Sequence, residues 1–134
     1  MGRILAIGCG GFIGAVLRYW ISGWVYSFGH GGFPTGTLVV NVVGSFLLGL
    51  VVGLAEHFVL HPNWQPFLTI GLLGAFTTFS TFSFETMALL EVGSHSKALL
   101  NLGASVMLGL VAVLAGLIAG LGSTVWKSRD RESC

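Results

Sequence analysis

Five hydroxyl side chains, four phenylalanines and a carboxylate stand together in "GAFTTFSTFSFE", residues 74–85. Thr77, Thr78, Ser80, Thr81 and Ser83 are interleaved with Phe76, Phe79, Phe82 and Phe84, and Glu85 closes the run. Hydroxyls donate and accept hydrogen bonds, and a phenyl ring is negative on its face but positive at its edge. Ring edges beside Ser, Thr and Asn donors therefore suit a small anion better than a cation. Phe76, Phe79 and Phe82 are spaced by three and drift around a helix instead of forming a stripe. Gly74 precedes hydroxyls that compete for backbone hydrogen bonds. That pattern fits a helix interrupted inside the membrane, where irregular backbone is tolerated only when buried in protein or lining a cavity. An interruption frees carbonyl oxygens, which suit a hard cation such as Na⁺, and N–H groups, which suit an anion. The alternative is an ordinary helix whose hydroxyls bond back to its own carbonyls. On these residues alone both readings stand.

Other polar residues fall at helical spacing. Thr37, Asn41 and Ser45 recur every four residues and lead to Gly49; Asn101, Ser105 and Gly109 repeat the pattern. Each set forms one stripe on a helix face. Asn41, deep in an apolar run, is expected to line something polar, with interhelical bonding as the alternative. Arg18 either adds positive charge to such a path or snorkels to the interface beside Tyr19 and Trp20. Glu85 either pairs with Arg18 or shapes a vestibule. The histidines (His30, His57, His61, His95) lie in or beside loops. His57 and His61 have metal-compatible spacing but no third ligand, so no zinc site is expected. No Ser-His-Asp, P-loop or HExxH pattern is present, and no enzyme is expected.

The elements that must carry these residues follow from composition. Of 134 residues, 54% are hydrophobic and 8% charged, against about a quarter charged in a soluble protein. Such a chain cannot cover a water-facing surface; it is an integral membrane protein. A net charge of +1 gives no field to recruit nucleic acid, and Cys9 and Cys134 suggest neither a disulfide nor a redox motif. Four runs reach the roughly 20 apolar residues a bilayer requires: about 4–25, 36–58, 67–91 and 98–122, followed by a polar tail at 123–134. They predict a single all-α transmembrane domain of four helices. The first run outlasts a signal-peptide core and reads as a retained span. Tyr19, Trp20, Trp24, Tyr26, Trp64 and Trp126 mark interface belts, and the excess of Arg3, Lys127, Arg129 and Arg131 over Lys97 puts both termini in the cytoplasm. Gly10/Gly14, Gly49/Gly53 and Gly116/Gly120 permit close helix packing. A four-helix bundle is too small to wall off a pathway alone, so an oligomer, most simply a dimer, is expected.

"GGFIGAVLRY" (10–19), "PTGTLVVNVVGSFLLG" (34–49) and above all "TTFSTFSFE" (77–85) resemble the Fluc (CrcB) family of fluoride channels. The likeness runs from about Gly8 to Gly109. The resemblance implies an antiparallel, dual-topology homodimer in the cell inner membrane, with the third helix of each subunit broken at mid-membrane and two fluoride pathways. It implies a structural sodium ion held by the backbone carbonyls of Gly74 and Thr77. It assigns the fluoride pathway to the ring edges of Phe79 and Phe82 and to Asn41, Thr37, Ser80, Thr81 and Ser105. Arg18 and Glu85 become vestibule or supporting residues. The implied activity is passive export of cytoplasmic fluoride. Two positions depart from the pattern: Ala75 stands where the family often has a second glycine, and Gly109 where some members have a serine.

Two other classes compete. A proton-coupled exporter of cationic drugs, similar to the small multidrug-resistance family, needs a buried carboxylate in the first span, which has none. A non-transporting assembly subunit accounts for the glycines but not for the hydroxyl–phenylalanine run.

Overall fold

Long apolar runs without proline leave the backbone no partner in lipid except itself, so helices form wherever the runs are long enough. In the computed structural model, which describes residues 1–29, 32–56 and 62–132 with side chains through Gly122, they do so throughout. α1 spans Gly2–Phe28 and α2 Thr35–Ala55. The third span begins with α3 (Trp64–Pro66), continues through a π-wound segment (Phe67–Leu73) and α4 (Gly74–Phe76), and resumes as α5 (Phe79–Glu91). α6 covers His95–Glu132. Four stretches are long and apolar enough to cross a membrane: Gly2–Phe28, Thr35–Ala55, Trp64–Glu91 and His95–Gly122. His30, the His57/His61 pair and Cys134 lie outside the described residues.

The ends differ from the sequence expectation for physical reasons. α1 runs from Gly2 to Phe28 because nothing before Gly29, whose backbone is extended, interrupts it. The expected polar tail continues α6 to Glu132, since "KSRDRE" holds neither Gly nor Pro. α5 stops in a Schellman turn: Gly93 takes φ 73°, its N–H donates to the Leu90 carbonyl, and the Ser94 N–H donates to that of Leu89. That turn folds α6 back along α5.

Close packing is delegated to glycine. A Cβ on Gly53 would lie 2.6 Å from the Leu117 carbonyl, and one on Gly120 2.7 Å from that of Leu50. Gly49 and Gly116 sit tighter still, against the backbones at Val113 and Phe46. The α2 pair therefore meets the α6 pair. Gly10 and Gly14 of α1 instead press on the π-wound segment, at Phe67 and Leu72. The buried apolar residues are few, among them Val40, Leu73, Phe76, Phe82 and Leu89, while Phe12, Trp20, Trp24, Leu110 and Ile118 are exposed on the outer faces. That inversion fits a chain whose solvent is lipid.

Candidate functional site

α2 and the third span meet where the latter leaves helical geometry. Thr77 (φ −81°, ψ 154°) and Thr78 (φ −149°, ψ 115°) are extended. Gly74 is not: its φ of −64° and ψ of −35° are helical. Gly44 of α2 lets the extended pair approach, since a Cβ there would collide with the Thr77 methyl and the Phe76 ring. One turn before Gly44 stands Asn41. Its Nδ2 donates to the Thr78 carbonyl at 3.1 Å, and its Oδ1 accepts the Thr78 N–H at 2.7 Å. The side-chain amide thus serves as a peptide partner for a residue that is only 7% exposed. Buried backbone groups require such partners.

Thr78 then caps α5. Its Oγ1 accepts the Thr81 N–H at 3.3 Å, donates to Thr81 Oγ1 at 2.9 Å, and lies 3.3 Å from Ser80 Oγ. The Thr77 hydroxyl donates to the Leu73 carbonyl at 3.0 Å. An unbroken helix would send the Thr78 and Thr81 amides back to the carbonyls of Gly74 and Thr77. Here both amides are engaged elsewhere, by Asn41 and by the Thr78 hydroxyl.

Phe79 and Phe82 of the motif differ sharply. Phe82 is 6% exposed and Phe79 79%, with ring centroids 5.6 Å apart and planes tilted by 48°. Each ring's own carbonyl also accepts a hydroxyl one turn on: Ser83 Oγ donates to Phe79 O at 2.9 Å and Thr86 Oγ1 to Phe82 O at 2.8 Å.

Thr37, one turn before Asn41, donates to Glu85 Oε1 at 2.8 Å. The other carboxylate oxygen is buried and has no protein partner among the described residues. Both side chains line a cavity of about 210 Å³ with Ser22, Tyr26 and Thr81. Glu85 makes its bond to Thr37, not to Arg18. Ser22, one turn beyond Arg18, reaches the cavity from α1 together with Gly23 and Tyr26, and Arg18 is half-exposed a turn away. Ser80 and Thr81 are exposed on α5. Ser105 Oγ, on α6, is buried with no hydrogen-bond partner among the described residues.

The structure therefore gathers Thr37, Asn41, Ser80, Thr81, Glu85 and the Phe79–Phe82 pair around the start of α5, with Gly74 and Thr77 just before it. Arg18 and Ser105 stand outside these contacts. Spacing does not single out Thr78, although a threonine immediately before a helical run is an N-cap signal. Asn101, 1% exposed, is a second such residue; it belongs to a recognised polar stripe, and its Nδ2 donates to Thr86 Oγ1 at 2.9 Å.

Residues 5–117 match the family model described as CrcB-like protein, Camphor Resistance (CrcB). A protein of Methanosarcina acetivorans named fluoride-specific ion channel FluC 1 is 53% identical over 90% of this chain and 92% of its own length. Proteins named fluoride-specific ion channel FluC from Shewanella amazonensis and Geobacter sulfurreducens are each 50% identical. They cover 87% and 89% of this chain and 94% and 97% of their own lengths.

Proposed function

This chain belongs to the CrcB family, and on that premise we propose that it is a fluoride-selective channel through which fluoride leaves the cytoplasm down its own gradient. The family is one of channels and not of enzymes, and four apolar helices make the chain a multi-pass membrane protein. The observation that carries the reading is the double hydrogen bond from Asn41 to Thr78. It supports a third span broken within the membrane, because it satisfies the polar groups that such a break exposes.

Fluoride is small and costly to dehydrate, so a path must replace its water with successive donors. Ser80 and Thr81 hydroxyls lie at the start of α5, both within reach of the Thr78 hydroxyl, on the helical turn that carries the paired Phe79 and Phe82 rings, whose edges supply positive partial charge without a competing fixed ion. Thr37, Asn41 and Ser105 continue the polar surface on α2 and α6. Arg18 and Glu85 flank it as vestibule or supporting residues. The exposure of Phe79 on a single chain supports a pathway completed by a second copy, inserted in the opposite sense to give a dual-topology homodimer. Exposed Leu99, Leu100 and Met107, beside Gly103 on α6, give that copy an apolar face to pack on.

The carbonyls of Gly74 and Thr77 fit a structural sodium ion. Thr77 belongs to the interruption and Gly74 to the helical turn before it; both carbonyls have lost their helical amides, and neutral carbonyl oxygens are what a hard monovalent cation takes. Sodium bound there would fix the two halves of the span and supply positive charge near the path. We place the protein in the cell inner membrane.

Purified protein reconstituted in liposomes tests the reading. Fluoride is expected to leave fluoride-loaded vesicles while chloride stays in chloride-loaded ones. Proton-dependent uptake of a lipophilic cation, with no fluoride release, would assign the chain to the exporter class instead.

A further inference from the structure

α5 is tied to two neighbouring helices, and the rings of Phe79 and Phe82 lie between the first tie and the last. The first, to α2, is made by Thr78 with Asn41 and by Glu85 with Thr37. The second, to α6, is made by Thr86, eight residues beyond Thr78, which accepts from Asn101. A short helix tied to one neighbour can still roll against it; tied to two, its rotation is set.

The second tie has a fixed polarity. Thr86 has one hydroxyl proton, and it goes to the Phe82 carbonyl at 2.8 Å. The hydroxyl oxygen is then free to accept, and Asn101 Nδ2 donates to it at 2.9 Å. The chain of bonds runs from Asn101 through Thr86 to the backbone of Phe82, the buried ring. Asn101 is 1% exposed, and an amide buried so completely in a membrane helix is costly unless its bonds are made. Among the described residues, the corresponding hydroxyl on Phe79, that of Ser83, bonds within its own helix. The relay is specific to Phe82.

We propose that Asn101 is a positioning residue for fluoride conduction, acting through Thr86 to fix the rotation of α5 and with it the Phe82 ring. The proposal rests on the channel reading above. It predicts that Asn101→Leu and Thr86→Val each slow fluoride efflux by about tenfold, the rate equivalent of one lost hydrogen bond. The double variant is expected to be no slower than the worse single one, because the two residues form one relay. Thr86→Ser keeps the hydroxyl and is expected to conduct as wild type. A readout independent of flux is the ¹⁹F resonance of 4-fluorophenylalanine incorporated at Phe82. It should move in Asn101→Leu and Thr86→Val and stay in place in Thr86→Ser.

An unmoved resonance and undiminished flux in Asn101→Leu would overturn the relay, as would single losses that multiply in the double variant. Should Asn101→Leu not fold, the Thr86→Val and Thr86→Ser pair decides alone: equal flux in the two overturns the proposal. A wild-type protein that releases no fluoride overturns the channel reading instead, while the resonance shifts still report on the relay.

Discussion

Two of the contacts that α2 makes along its length are built in opposite ways. Toward its end, Gly49 and Gly53 meet Gly116 and Gly120 of α6 backbone to backbone, with no polar side chain involved. Toward its start, Thr37 and Asn41 reach the third span through directed hydrogen bonds. Lipid gives helices no hydrophobic reason to associate, so each contact must find another source of attraction. The glycine seam uses close approach, which depends on the absence of atoms. The Asn41 junction uses polarity, which depends on their identity. The first tolerates no added volume; the second tolerates no lost donor or acceptor.

The largest effect should come from the seam. A leucine at Gly116 would place its Cβ on the Phe46 carbonyl, and neither backbone can yield without moving a whole helix. Gly116→Leu is expected to abolish recovery of monodisperse protein from detergent extracts. A normal elution profile would show that α2 and α6 are not held as tightly as the contact implies.

At the junction the damage is chemical. Asn41→Leu leaves the buried N–H and carbonyl of Thr78 unpaired, a loss of roughly 2–4 kcal/mol at typical values for orphaned groups. Asn41→Asp separates the two bonds: one oxygen still accepts the Thr78 N–H, while the other faces the Thr78 carbonyl in place of a donor. It is expected to leave a folded protein with severely impaired fluoride flux. Unchanged flux in the vesicle assay would remove Asn41 from the pathway.

The same contrast explains what could be read in advance. Four apolar runs of bilayer length are visible because length and hydropathy suffice to define them. The glycine pairs are equally visible as packing surfaces, but spacing shows only that a face is small, not which helix it meets. Gly10/Gly14 turned out to face the π-wound segment, and Gly49/Gly53 to face α6. Asn41 is conspicuous by type in an apolar helix. Its partner is not, because the bond joins a side chain to a backbone 37 residues on, and no periodicity registers one helix against another. The pairing of Asn101, itself visible in a polar stripe, with Thr86 is hidden for the same reason. Each looks like an ordinary membrane-helix polar residue until the hairpin brings them together.

A smaller and more selective effect separates the two rings. Phe82→Ile removes a buried side chain and is expected to cost about 1–3 kcal/mol of stability. Phe79→Ile, at an exposed position on the chain, is expected to leave the unfolding midpoint nearly unchanged. Both should lower fluoride flux. A loss of stability in Phe79→Ile equal to that in Phe82→Ile would mean that the exposed ring is covered in the assembled protein.

The smallest effect bears on what breaks the third span. Its motif begins with Gly74, and a glycine before a cluster of hydroxyls suggests that backbone freedom starts the interruption. The dihedrals place it later: Gly74 is helical, and the extended residues are Thr77 and Thr78. The nearest atom to a Cβ at Gly74 would be the Thr69 carbonyl oxygen, at 3.4 Å, so alanine fits the chain with little adjustment. If Asn41 and the Thr78 cap hold the interruption, Gly74→Ala should change stability by no more than about 1 kcal/mol, in the favourable direction that alanine confers on a helix. Thermal unfolding in detergent measures this directly. A large loss would mean that the bare Cα of Gly74 faces something a single chain does not contain, and a second copy of the chain would then be the surface it meets.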